Sequence, residues 1–240
     1  MELFLRAFGN SKKLTIKERA EEVNQIHLKV SEILAIDSWF LWSKTKTTLN
    51  IKDTQLSFPL IYAEVKSGLN TGLATRTRYK DDDIADISSS CIFHTDSIKD
   101  LSIKYEIGYP SSNISSGLKI CIDNIQKLSE EKIMALSKLF IKEWKPESLT
   151  VTEDDFFHEV SKAYDLKVPF TGWFTYLSYD ILNQDFIDSI STKKNEIENI
   201  GLMYFISNHP FDIKDKESVS KALDFERELK KHNIKHSNKK

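Results

Sequence analysis

Apolar and polar residues alternate strictly along Leu101-Ser102-Ile103-Lys104-Tyr105-Glu106-Ile107. A two-residue period puts every second side chain on one side of an extended chain, which predicts a strand over 101–109 with one wet face. Residues 90–94 and 117–123 are strand-like too, and the polar stretches 95–100 and 110–116 between the three make an antiparallel meander the economical pairing. A different period holds upstream. Ala20, Val23, Ile26, His27, Val30 and Ile33-Leu34 recur at helical spacing, and Thr15 with Glu18 three residues on has the spacing of a capping box. Residues 3–8 (LFLRAF) predict a short strand ended by Gly9-Asn10, and Trp39-Phe40-Leu41-Trp42 a buried strand or turn followed by polar residues 43–54. A second helix is expected over 55–67, ending near Gly68, and residues 71–90, without apolar periodicity, predict a loop.

The second half reads as more helical. Ile133, Leu136, Phe140 and Trp144 form a stripe that Pro146 must stop, since proline cannot continue the backbone ladder. Thr152 with Asp155 should open a helix carrying Phe156, Val160 and Ala163, and a final helix should span 215–232. Residues 170–177 and 200–206, aromatic and β-branched, are expected as late strands. With strands and helices intermixed and no regular βαβ rhythm, the expected fold is α+β: one central, largely antiparallel sheet with helices packed on it. A single domain should cover 1–232, with 233–240 a basic tail that frays.

Composition narrows the function classes. Of 240 residues, 40% are hydrophobic, enough to close a core, and 7 Gly and 5 Pro leave little room for flexible linkers or glycine-rich phosphate loops. Lys and Arg total 34 against 36 Asp and Glu, a net charge of −2, which argues against a nucleic-acid coat and against nucleic acid as a partner. Cys91 and Cys121 each sit in an apolar run where a buried reduced thiol is the commoner state, so a reducing compartment is expected. The opening MELFLRAFG does not read as an export signal and no stretch has the length of a membrane span. The expectation is a cytoplasmic protein without a membrane partner.

Candidate chemistry is sparse. Cys91 has His94 three residues on, but on a strand positions 91 and 94 face opposite ways, so the reading of Cys91 as a core thiol competes with a Cys/His-centred enzyme site. His158 beside Glu159 and Asp155 is the other candidate for such a site, without an HExxH to complete it. Zinc spacing is missing, the glycines match no cofactor fingerprint, and neither metal nor cofactor is expected. Asp81, Asp82, Asp83 and Asp86 lack the alternate spacing and glycine of a calcium loop; they read as a solvated acidic loop or a docking surface for a basic partner. Glu153, Asp154 and Asp155 read likewise, or as the acidic first turn of a helix offsetting its dipole. Tryptophans 39, 42, 144 and 173 lie in apolar stretches, which points to the core, and the lysines of the tail to a solubilising end.

One further signal is a resemblance. The opening strand and capped helix, Glu143-Trp144-Lys145-Pro146-Glu147 at a helix end, and above all Thr171-Gly172-Trp173-Phe174-Thr175-Tyr176-Leu177-Ser178 resemble the immunity protein 52 family of bacterial polymorphic-toxin systems over roughly residues 1–210. The resemblance implies a cytoplasmic, non-enzymatic antidote that binds a cognate toxin of the restriction-endonuclease-fold class and occludes its cleft. Acidic groups on such an antidote would raise association rate and selectivity against a basic, DNA-handling cleft. The loop 80–86 and the start of the 153–164 segment are the expected contacts. Trp173 and Tyr176 are expected to hold the core.

Overall fold

The computed structural model describes residues 3–9, 14–42, 46–71, 89–99, 101–107, 118–123, 127–153, 155–156, 168–209 and 213–236. The fold is α+β and, among the described residues, every strand pairing is antiparallel, but there are two five-stranded sheets instead of one. The first takes strands from both ends of the chain, in the order β1 (Leu3–Phe8), β7 (Ser148–Glu153), β8 (Phe174–Ser178), β10 (Gly201–Phe205), β9 (Lys194–Ile197). The second is built from the first half alone: β3 (Lys46–Asn50), β2 (Ser38–Trp42), β4 (Ser89–His94), β5 (Ser102–Ile107), β6 (Leu118–Asp123). The expected meander is its β4-β5-β6 half, and β1 runs beside β6 where the two sheets meet.

Helix α1 (Ile16–Leu34) buries Ala20, Val23, Ile26, His27, Val30 and Leu34 of the stripe read from its sequence, leaves Ile33 half-buried and buries Ile16 as well, each buried Val, Ile or Leu contributing about 1.5–3 kcal/mol by leaving water. Thr15 accepts the Glu18 N–H while the Glu18 carboxylate accepts the Thr15 N–H at 2.8 Å, so the capping box forms as expected; the bonds that this carboxylate accepts from the Thr15 N–H and the Thr15 hydroxyl lower the Glu18 pKa. Its other end is less well matched. Ala35 takes φ 57°, ψ 46°, the left-handed conformation in which a Cβ costs roughly 1–2 kcal/mol. Ala35→Gly should therefore raise stability by about 0.5–1 kcal/mol after the extra freedom of the unfolded glycine is deducted, read as a higher urea midpoint at constant m-value.

Helix α2 (Thr54–Thr71) holds Pro59 and runs on past Gly68, and α3 (Glu130–Trp144) is capped by Ser129 and ends at Lys145, one residue before Pro146. Lys29 of α1 pairs with Glu143 of α3 at 2.5 Å. Later among the described residues come the short α4 (Gln184–Ser189) and the 16-residue α5 (Lys216–Lys231). Among the described residues no helix is long and apolar enough to cross a membrane. Trp39 and Trp173 are core residues and Trp144 stacks on Phe140 at 5.2 Å, as the apolar surroundings of all three imply.

The GWFTYLS stretch is interior. Residues 171–178 are all buried; Trp173 N–H donates to the Val151 carbonyl at 2.7 Å, and Gly172 N–H to Thr175 Oγ1 at 3.1 Å. The expected tail starts packed: Ile234 is 1% exposed, and His236 lies with Nδ1 3.4 Å from Glu147 Oε2 and Nε2 3.5 Å from Ser148 Oγ.

Candidate partner-binding surface

The far end of the first sheet is held from one side by an aromatic knot. Asn183 caps α4 by accepting the Phe186 N–H at 2.9 Å, which sets Phe186 against Tyr204 of β10 (5.8 Å between ring centres) and Phe225 of α5 (5.7 Å). Asp215 caps α5, and its hydrogen bond from Ser218 Oγ, 2.5 Å long, holds its carboxyl below the ordinary range. Burial raises the Tyr204 hydroxyl well above its usual pKa. This end of the sheet is thereby fixed, and β9 is its last strand, with three of its four residues exposed. The hairpin from β9 to β10 turns through Glu198 and Asn199, both left-handed at φ 46° and 57°, the pattern of a primed turn.

One cleft lies at the start of that edge strand and another along it, and Phe205 reaches both. One, about 460 Å³, lies toward α5 and is lined by Lys193, Phe205, Asn208, Lys221, Asp224 and Glu228. The other, about 470 Å³, lies toward α3 and is lined by Met134, Lys138, Asn195, Ile197, Met203 and Phe205. Most charges here are matched locally. Lys221 pairs with Glu217 at 2.6 Å, Arg227 with Asp224 at 2.5 Å, and Lys231 with Glu228 at 2.9 Å, the last lowering the Glu228 pKa through its hydrogen bond. Lys194 Nζ donates to the Ile187 carbonyl at 2.6 Å. Lys193 and Lys138 have no ion-pair partner among the described residues; the Lys193 ammonium sits 5.3 Å from the centre of the Phe205 ring. Tyr179, the most exposed large apolar side chain among the described residues at 39%, hydrogen-bonds Glu196 of β9 at 2.9 Å.

No protein-family model and no curated protein matches the chain. Among solved structures it is similar to the Pseudomonas aeruginosa T6SS protein PA0821. The TM-score is 0.56 at 12% identity, over 99% of this chain and 76% of that one. At that identity the two share a fold.

The candidate residues read from the sequence fall elsewhere. Asp81, Asp82, Asp83, Asp86, Asp154 and His158 lie outside the described residues. Asp155 is exposed at the helical start that Thr152 was expected to open, but Thr152 and Glu153 belong to strand β7. The correction matters for Glu153, which is 3% exposed and accepts the Ile213 N–H at 2.8 Å, so its carboxylate is taken up inside the fold. Cys91 is a free thiol, 1% exposed, and burial pushes its pKa well up, away from the thiolate a nucleophile needs. His94 instead stacks on Phe40 at 5.4 Å. Sequence reading missed the lysines at the β9 edge, although Glu198-Asn199 followed by Gly201 is a hairpin signal that could have placed them on a strand.

Proposed function

We propose that this chain is an immunity protein that binds and neutralises a cognate secreted toxin, a nuclease of the restriction-endonuclease fold, in the cytoplasm of the producing cell. The observation that carries the reading is the fold-wide likeness to a T6SS protein, spanning 99% of the chain, and the TGWFTYLS resemblance supports it. The protein acts by covering its partner's cleft and makes no bond itself, needs no metal or cofactor, and meets neither nucleic acid nor membrane. Asp81, Asp82, Asp83 and Asp86, with Asp154 and Asp155, are the acidic groups offered to the basic toxin. Glu153 is left out, because its replacement would act through the fold.

Growth of cells expressing the toxin gene neighbouring this one should return to the level of an inactive-toxin control when this chain is co-expressed, and the two proteins should co-elute on gel filtration. Loss of both results overturns the reading. Reversing Asp81, Asp82, Asp83 and Asp86 to lysine should slow association at low salt by about tenfold and leave the melting temperature unchanged.

A further inference from the structure

We propose that β9 is a docking edge for an extended, acidic segment of a partner protein, which adds to the first sheet as a further strand. β9 has β10 as its one neighbour among the described residues. The Lys193 carbonyl accepts the Phe205 N–H at 2.8 Å and the Ile197 carbonyl the Ile200 N–H at 2.9 Å, so residues 193 and 197 turn their backbone groups toward the β10 side. Alternation then faces the N–H and C=O of Lys194 and Glu196 outward, four groups ready to pair with a strand. Lys193, Asn195 and Ile197 lie on the face of β9 shared with Met203 and Phe205, while Tyr204 packs toward α5 on the other, so every second side chain of an added strand lies on the Met203 and Phe205 face.

Charge selects the occupant. Two ammonium groups without an ion-pair partner among the described residues, Lys138 of α3 and Lys193 at the start of β9, border the apolar face of Met203 and Phe205. Lysine on an edge strand ordinarily deters sheet growth, and here it deters every strand except one bringing carboxylates to that face. A second copy of this chain would bring its own Lys193 and Lys138 to an edge already holding both. Strand addition here does not require the partner to be a toxin.

The test uses the full chain with two capped hexapeptides, Thr-Glu-Val-Glu-Val-Thr and Thr-Lys-Val-Lys-Val-Thr, whose two charged residues share one face when extended. The Glu peptide should bind and slow amide exchange at Lys194 and Glu196, and the Lys peptide should bind about tenfold more weakly. Lys138→Glu combined with Lys193→Glu, both at exposed positions, should reverse that order. Glu196→Pro removes an outward N–H and leaves the β10 ladder intact; it should abolish binding while the melting temperature stays within a few degrees. Equal binding of the two peptides, no binding of the Glu peptide, or slowed exchange elsewhere overturns the proposal. So does a concentration-dependent dimer that protects the same amides without peptide.

Discussion

Gly172→Ala is expected to cost roughly 3 kcal/mol or more and to lower the melting temperature by about 6–12 °C, enough to empty the soluble fraction of a marginally stable chain. A Cβ at position 172 would press into the Val151 carbonyl oxygen and Thr150 Oγ1, and would lie 2.8 Å from the Val151 carbonyl carbon. None of these atoms can give way easily. Val151 is in β7, an interior strand paired on one side with β1 and on the other with β8, and its carbonyl already accepts the Trp173 N–H at 2.7 Å. Overpacking ordinarily costs 1–3 kcal/mol where side chains can shift; here backbone would have to move and a hydrogen bond would break with it. Thermal melts of the variant and the parent decide it: a midpoint within 2 °C would show that the approach is not tight. Under the proposed immunity role, loss of growth rescue by Gly172→Ala would report loss of fold, since residues 171–178 are buried.

That burial explains what was legible. TGWFTYLS stands out because it is interior, where backbone approach and aromatic volume dictate residue type. Helix α1 and the meander were equally readable, since one side of each faces the core and leaves a clean period. β7 was not. Its sequence Ser148-Leu149-Thr150-Val151-Thr152-Glu153 alternates as a half-wet strand would, and its Thr and Glu read as helix-opening residues, yet all six positions are buried because both faces are covered. Thr150 and Thr175, burying hydroxyls 3.4 Å apart, show how that strand accommodates polar side chains. β3 and β9 were missed for the opposite reason: as edges they carry Lys, Thr and Asn, so their pairing leaves no apolar pattern. Division into two sheets was hidden too, because β1 joins strands some 140 residues later, a pairing no local period encodes.

Acidification from pH 7.5 to 5 is expected to remove about 2 kcal/mol of stability, and His27 to be its main source. His27 is fully buried on α1, its ring stacked on Phe93 at 3.6 Å between centres and edge-on to Trp39 at 4.6 Å. Its Nδ1 is 2.9 Å from the Tyr105 hydroxyl, while Nε2 has no hydrogen-bond partner among the described residues. Burial pulls its pKa well below the ordinary value of 6.5, and burial pushes the Tyr105 hydroxyl well up, so the pair is neutral. The unfolded chain therefore takes up a proton below about pH 6.5 that the folded chain refuses. The stability of the neutral state is whole above that pH and falls by about 1.4 kcal/mol per unit below it, until the folded pKa is reached. Carboxylates held below their usual range, such as Glu18 and Glu228, act only under about pH 4.5 and leave this window clear. His27→Leu should flatten the slope between pH 6.5 and 5 in urea titrations, and at pH 7.5 should cost about 1–3 kcal/mol for stranding the Tyr105 hydroxyl and losing the ring stack. Tyr105→Phe strands His27 Nδ1 at a similar cost, but the double variant removes both halves of the polar pair and should lose less than the two single losses added, by about 0.5–3 kcal/mol. An unchanged slope in His27→Leu would assign the acid sensitivity to other groups, and strict additivity would mean that the 2.9 Å contact contributes nothing to the fold.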